Sequence, residues 1–175
     1  MTKYIAFLRA INVGGHTVKM DHLRSLFEML NFSNVETFIA SGNVIFETRA
    51  AKAASLEKKI AIHLEESLGY AVDTFVRTLN DVIEIEKRCP FEAQKKDDNI
   101  YVSFLHELLN AEKTAILMKT KNQLNDFAAI RNEIYWLRLN RDESIFLKSS
   151  LEKILKISST NRNITTIRNI VEKYQ

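Results

Sequence analysis

The second half of the chain repeats the first in a weaker form, and this repeat constrains the fold more than any other feature. Residues 4–8 (YIAFL) return as residues 101–105 (YVSFL), and residues 38–46 (FIASGNVIF) return as residues 127–135 (FAAIRNEIY). A third block, residues 55–58 (SLEK), returns as residues 150–153. Because all three blocks keep their order at a similar spacing, the sequence predicts a duplicated supersecondary unit.

The first half reads as an alternation of strands and helices. Strands are predicted over residues 4–10, 35–40, 43–47 and 71–77, and helices over residues 20–30 and 51–68. The first helix is indicated by an apolar stripe at i, i+3, i+4 and i+7, formed by Leu23, Leu26, Phe27 and Leu30. The resulting order, β-α-β-β-α-β, is that of a ferredoxin-like unit.

The second half reads as a shortened copy. Strands are predicted over residues 100–106, 125–131 and 133–139, with helices over residues 111–120 and 150–157. No fourth strand is predicted, because residues 160–163 (TNRN) are rich in capping side chains and lead into a terminal helix. The predicted fold class is therefore α+β, an internal duplication of a β-α-β-β-α-(β) unit whose second copy is truncated and ended by a C-terminal helix. The predicted halves are residues 1–90 and 100–175, joined by a polar linker at residues 91–99.

Composition narrows the class of protein. At 175 residues, 46% hydrophobic and 27% charged, the chain is typical of a globular protein. No apolar run approaches the roughly 20 residues of a membrane helix, and the early first strand leaves no room for a signal peptide. A single cysteine, Cys89, cannot form a disulfide within the chain. These features predict a cytoplasmic protein without a membrane partner.

Glycines and polar side chains mark a candidate binding site. In a ferredoxin-like unit the first and third strands are antiparallel neighbours, so the turn after residue 10 should lie beside the turn at residues 41–43. Backbone N–H groups and a guanidinium in such a notch can hold an anion. The alternative is that the amides knit two loops together and the glycines only solve turn geometry. We call this site the first-unit notch; its predicted residues are Arg9, Asn12, Gly14, Gly15, Ser41, Gly42 and Asn43, with Arg162 and Asn163 predicted to close over it.

Three of these motifs carry a resemblance. Residues 9–15 (RAINVGG), 41–44 (SGNV) and 160–166 (TNRNITT) resemble the bacterial domain of unknown function 1697 family over essentially the whole chain. The third motif departs at Ile164, where the family pattern has tryptophan. The resemblance implies a small cytosolic bacterial protein of mixed α/β structure, and it implies no activity.

Other chemistry finds little support in the sequence. The four histidines fall in different predicted elements, and no HExxH or CxxC pair occurs, so no metal site is predicted. Cys89 precedes a proline at a helix end with no histidine nearby and reads as a bystander thiol. Gly14-Gly15 lacks the spacing of a phosphate-binding or dinucleotide-binding loop, so no cofactor is predicted.

Nucleic-acid binding is an open alternative. RNA-recognition sheets present aromatic side chains from their first and third strands, which here carry Phe7, Phe46, Phe104 and Tyr135. Their apolar neighbours argue for a core instead, although a basic C-terminal segment offers phosphate contacts. The sequence therefore leaves three classes: a protein that binds a small anionic ligand or nucleic acid, an interaction module that self-associates as a homodimer, and a small enzyme of unknown reaction.

Overall fold

The computed structural model describes residues 1–12, 15–39, 42–92, 99–139 and 148–175, with the side chains of residues 148–150 left out. Within these ranges the chain is a mixed α+β protein with six helices and two four-stranded antiparallel sheets. It forms two compact units, a first unit of Met1–Val82 with Tyr174–Gln175 and a second unit of Ile83–Lys173. Each unit is described by itself below.

The first sheet has the strand order β2-β3-β1-β4, and every neighbouring pair is antiparallel. Strand β2 is outermost and changes register between Ser33 and Glu36, with Asn34 in the left-handed region at φ 49°. The elements of this part of the chain are β1 (Thr2–Leu8), α1 (Met20–Glu28), β2 (Ser33–Phe38), β3 (Asn43–Thr48), α2 (Ala53–Leu68), β4 (Thr74–Thr78) and α3 (Leu79–Lys87).

Packing on one face of this sheet explains why these segments form. The predicted stripe of α1 is buried at Leu23, Leu26 and Phe27, where it joins a core with the side chains of β1 and β3. Tyr4 and Phe46 stack across the two central strands with ring centroids 5.6 Å apart. Burial of apolar area on this scale is the main stabilising term of the unit.

The second sheet has the strand order β6-β7-β5-β8, again with antiparallel neighbours. Its core contains Tyr101 and Trp136, whose ring centroids are 5.1 Å apart, and the Trp136 indole donates to Asn125 Oδ1 at 2.9 Å. The elements are β5 (Asn99–Phe104), α4 (Ala111–Lys119), β6 (Asn125–Ile130), β7 (Glu133–Arg138), α5 (Lys148–Leu155), β8 (Thr160–Asn163) and α6 (Ile164–Tyr174).

The prediction of a truncated second copy is wrong, because β8 supplies a fourth strand. It pairs antiparallel with β5, and Arg162 lies opposite Val102. The strand consists of polar residues, so it lacks the apolar alternation by which strands are recognised. Its polar groups are nevertheless bonded: Arg162 Nη1 donates to the Asn161 carbonyl at 2.9 Å. Capping was correctly anticipated at the last position, since Asn163 Oδ1 accepts from the Thr165 N–H at the start of α6.

Candidate functional site

The strand ends that flank the predicted first-unit notch lie side by side, as the antiparallel pairing requires. Phe7 lies opposite Asn43, and the Leu8 N–H donates to the Gly42 carbonyl at 2.8 Å. The end of β1 is therefore beside the start of β3, although thirty-odd residues separate them in the chain. Gly14 and Ser41 lie outside the described residues.

The notch side chains mostly brace the loops themselves. Asn43 is completely buried and donates through Nδ2 to the Phe38 carbonyl at 2.9 Å. Asn12 adopts φ 57°, and its Oδ1 accepts from the Val18 N–H at 2.6 Å. These contacts match the alternative reading, in which amides knit two loops together. Arg9 and Gly15 are exposed to solvent and Gly42 is buried.

The loop between β1 and α1 folds back onto its own unit. Ile11 and Val18 are buried in the core of the first unit. The ring of His16 stacks on that of Tyr70 at 3.8 Å between centroids, which joins this loop to the one between α2 and β4. The Arg9 N–H also donates to the Asp73 carbonyl at 2.8 Å. The two loops at this end of the first unit are therefore in direct contact.

Arg162 and Asn163 are held by partners in the second unit. Besides its bond to Asn161, Arg162 Nη1 donates to Thr160 Oγ1 at 2.9 Å, and burial lowers the pKa of Arg162 to about 10. Asn163 caps α6 and its Nδ2 lies 3.4 Å from Asn99 Oδ1. These contacts give both side chains a role in the framework of β8. The expectation that Arg162 and Asn163 close over the first-unit notch stays a prediction.

A cavity of about 470 Å³ opens at the corresponding end of the second unit. It lies between the loop that joins β5 to α4, the first turn of α4, and the loop that joins α5 to β8. We call it the second-unit cavity; its lining residues are Leu105, His106, Glu107, Leu108, Leu109, Asn110, Lys113, Lys156, Ile157 and Ser158.

Loop length explains why the cavity opens in this unit. The loop between β1 and α1 spans residues 9–19, whereas the loop between β5 and α4 spans only residues 105–110. In the first unit the longer loop has enough chain to bury Ile11 and Val18 and to stack His16 on Tyr70. The shorter loop of the second unit turns directly into α4. The β1–α1 and α2–β4 connections therefore touch, whereas the β5–α4 and α5–β8 connections border an open space.

The charges around the second-unit cavity favour an anion. Asn110 is the N-cap of α4, where its Oδ1 accepts from the Lys113 N–H at 2.8 Å. The N-terminal end of a helix carries a partial positive charge. Across the part of the chain that the structure describes, the ammonium groups of Lys113 and Lys156 form no ion pair. Glu107 is the one acidic lining residue. The formal charge of the lining is therefore positive by one, with His106 neutral.

Sequence reasoning overlooked this cavity. The second copy carries His106 where the first has Arg9, and it lacks the glycine pair, so the site was predicted in the first copy. Two signals were present in the sequence. One is Asn110 followed three residues later by Lys113, a capped helix start with a cation in its first turn. The other is the shorter spacing between the repeated strand YVSFL and that helix.

The aromatic side chains of the central strands are not a stacking platform. Phe7, Phe46, Phe104 and Tyr135 are all completely buried. A base needs access to the face of an aromatic ring in order to stack on it. These four rings therefore belong to the core, as their apolar neighbours suggested.

Among the described residues there is neither a membrane-spanning helix nor a metal centre. In those ranges no helix is long and apolar enough to cross a bilayer. Nor does any group of three histidine, cysteine or acidic side chains come together there in a way that would hold a metal ion.

Cys89 is half-buried, and its Sγ donates to the Phe91 carbonyl at 3.6 Å. Burial raises the pKa of this thiol, and the nearby carboxylate of Glu86 acts in the same direction. Since the thiolate is the reactive form, we expect iodoacetamide to alkylate Cys89 several-fold more slowly than free cysteine at pH 8. The rate should reach that of free cysteine in denaturing urea. Equal rates in the native protein would show an accessible, activated thiol instead.

Comparison with known proteins places the chain in a family. The family model described as "Protein of unknown function (DUF1697)" matches residues 1–135. The chain belongs to the DUF1697 family. The predicted family is thereby confirmed, although the motif at residues 160–166 lies outside the matched range. None of the curated proteins matches the chain.

A solved structure shows how this DUF1697 fold recurs. The chain is similar to the conserved bacterial protein SP0830 from Streptococcus pneumoniae, with a TM-score of 0.76 and 22% sequence identity. The similarity covers 99% of this chain and 98% of the other. At this identity the likeness shows a shared fold and nothing about a shared ligand.

Proposed function

We propose that the protein binds a small anionic molecule in the second-unit cavity. The observation that carries this proposal is an open cavity of about 470 Å³ bordered by two ammonium groups without ion-pair partners in the described structure. Ligand cavities in proteins commonly measure roughly 300–1,000 Å³. The volume therefore suits an organic molecule and exceeds what a single inorganic ion needs.

The sign of the ligand's charge follows from the lining. Lys113 lies in the first turn of α4 and Lys156 follows the end of α5, so the two cations come from different elements. The partial positive charge at the start of α4 adds to theirs. A cationic ligand would meet this field with only Glu107 to offset it. An anion would neutralise the lining.

We also infer that the segment from β1 to α3 and the segment from β5 to α6 are copies of one ferredoxin-like unit, each with a helix after its fourth strand. The support comes from the sheet registers. Arg77 lies opposite Ile5 and Arg162 lies opposite Val102, the same position of the repeated strand, and both donate to the preceding carbonyl. Thr78 accepts from the Asp81 N–H and Asn163 from the Thr165 N–H, so each copy caps its last helix at the end of its fourth strand.

Thermal denaturation with defined anions tests the binding proposal. We expect at least one of inorganic phosphate, benzoate and 2-naphthoate to raise the melting temperature of the wild-type protein in proportion to the logarithm of its concentration. A ligand at a hundred times its Kd adds about 2.7 kcal/mol to the free energy of unfolding. The Lys113→Met, Lys156→Met double variant should lose the rise.

Matched variants locate the effect. Lys153→Met removes an exposed lysine of α5 that does not line the cavity, so it should keep the rise. Arg9→Ala reports on the first-unit notch, the second candidate, where Ala10, Asn12 and Ile39 all adopt left-handed backbone conformations. Strained backbone of this kind accompanies many ligand sites. Loss of the rise in Arg9→Ala alone would move the site to the notch, and no rise with any anion would overturn the proposal.

A further inference from the structure

We infer that the ligand of the second-unit cavity is an organic anion with an apolar body, such as an aromatic or alkyl carboxylate. This inference rests on the proposed function and adds the chemical class of the ligand. Its basis is the division of the lining into an apolar part and a cationic part, together with the apolar and planar groups that the longer loop of the first unit packs against its own unit.

Four of the ten lining residues are large aliphatic side chains. Leu105 is buried, and Leu109 and Ile157 pack partly buried against the core of the second unit, so they form the apolar inner part of the cavity. Leu108 is different, because 65% of its surface is exposed. An apolar ligand body would cover this side chain, whereas an inorganic ion would leave it in water. Covering apolar surface is favourable in proportion to its area.

The first unit shows what the same arrangement of loops can enclose. Its loop between β1 and α1 buries the aliphatic side chains of Ile11 and Val18 in the core and stacks the ring of His16 on Tyr70 of the other loop. These groups are apolar or planar. The second unit lacks the chain length to supply them, so a ligand of similar character fits the space that its shorter loop leaves open.

The cationic part sets the position of the anionic group. Lys113 and Lys156, with the capped start of α4, border the cavity together with Asn110 and Ser158. A carboxylate accepts hydrogen bonds from ammonium groups readily. The geometry thus points to a ligand whose anionic group lies between the two lysines and whose apolar body lies along Leu108, Leu109 and Ile157.

Titration calorimetry with three probes tests the inference. The probes are 2-naphthoate, which has both parts, inorganic phosphate, which has only the charge, and 2-naphthalenemethanol, which has only the apolar body. We expect the Kd of 2-naphthoate to be at least about tenfold lower than that of either other probe, since each partial probe gives up one set of contacts, and a tenfold change corresponds to about 1.4 kcal/mol.

Variants separate the two parts of the lining. Leu108→Asn should raise the Kd of 2-naphthoate about fivefold or more, in line with the loss of one apolar contact surface, and should leave phosphate binding unchanged. Met29→Asn is the matched control, because Met29 is 66% exposed and lies outside the cavity. It should change neither Kd. The Lys113→Met, Lys156→Met variant should weaken 2-naphthoate and leave 2-naphthalenemethanol unchanged.

The outcomes distinguish this inference from the proposed function. Binding of phosphate as tight as that of 2-naphthoate would overturn the apolar body while keeping an anion site. Binding of the neutral alcohol as tight as that of the carboxylate would overturn the anionic group. If neither anion binds, the proposed function fails together with the inference. A Leu108→Asn variant that binds 2-naphthoate like the wild type would exclude the assigned placement.

Discussion

Replacing Gly42 by alanine should lower the free energy of unfolding by about 2–5 kcal/mol. Gly42 has φ 76°, a region that costs an L-residue about 1–2 kcal/mol. A Cβ at this position would also lie 2.7 Å from Ile11 Cγ2 and 3.2 Å from Leu8 Cβ. Both neighbours are buried, so relieving the clash requires a shift in the core, which adds about 1–3 kcal/mol. Urea denaturation followed by circular dichroism measures the loss.

Gly69→Ala is the matched control for this prediction. Gly69 caps α2 at φ 78°, almost the same backbone angle, but a Cβ there would meet nothing within 4 Å. Only the conformational cost applies, so the loss should be about 1–2 kcal/mol. Equal losses in the two variants would show that the core accommodates a Cβ beside Ile11 without cost.

Replacing Arg77 by methionine should lower the free energy of unfolding by about 3–5 kcal/mol, the usual cost of removing one partner of a buried ion pair. Arg77 Nη1 lies 3.7 Å from Glu57 Oε1, and both side chains are about nine-tenths buried. The same carboxylate accepts from the Val76 N–H at 2.9 Å. Without Arg77 the carboxylate keeps its backbone donor but loses the positive charge that offsets its burial.

A double-variant cycle checks the cause. Glu57→Gln keeps an oxygen acceptor for Val76 while removing the charge, so the Glu57→Gln, Arg77→Met variant should regain at least about 1 kcal/mol relative to the sum of the single losses. Arg24→Met is the control for loss of an arginine, because both ion pairs that the described structure gives Arg24, with Asp21 and Glu28, are exposed. It should cost less than about 1 kcal/mol. Simple additivity in the cycle would mean that the two charges do not interact.

The sequence predicted that the end of β1 lies beside the start of β3. It did not predict the residue-by-residue alignment of the two repeats. The repeat aligned Asn43 with Asn132, but the sheet registers pair Phe7 with Asn43 and Phe104 with Glu133. The position that corresponds to Asn43 is therefore Glu133. The turn after β6 spans residues 131–132 and is two residues shorter than the connection over residues 39–42, so no ungapped alignment matches both pairs of strands. Pattern matching without gaps cannot register a shortened turn.

Strand β8 was missed for a different reason. Sequence patterns identify strands by apolar residues on alternate positions, and TNRN has none. The structure buries Thr160 and Arg162 all the same, because neighbouring groups of the same strand satisfy their hydrogen bonds. Burial of a polar residue depends on hydrogen-bond partners that the tertiary structure supplies, so the residue type alone does not predict its burial.

The second-unit cavity was not predicted from the sequence for a third reason. Each lining residue is ordinary by itself, and its importance comes from what the shorter loop leaves unfilled. The space is defined by comparison with Ile11, Val18 and His16 in the first unit, which become informative only once their packing is known. The polar, glycine-rich loop predicted a site in the first unit, where that loop packs against its own unit.

The register shift in β2 limits the strand pairing that this edge of the sheet can offer to another molecule. An outer strand that runs straight exposes a continuous row of backbone donors and acceptors to which a strand of another molecule can add. In β2 the break between Ser33 and Glu36, with Asn34 turned into the left-handed region, interrupts that row. An incoming strand could pair with β2 for only a few residues, so the bulge disfavours strand-by-strand polymerisation at this edge.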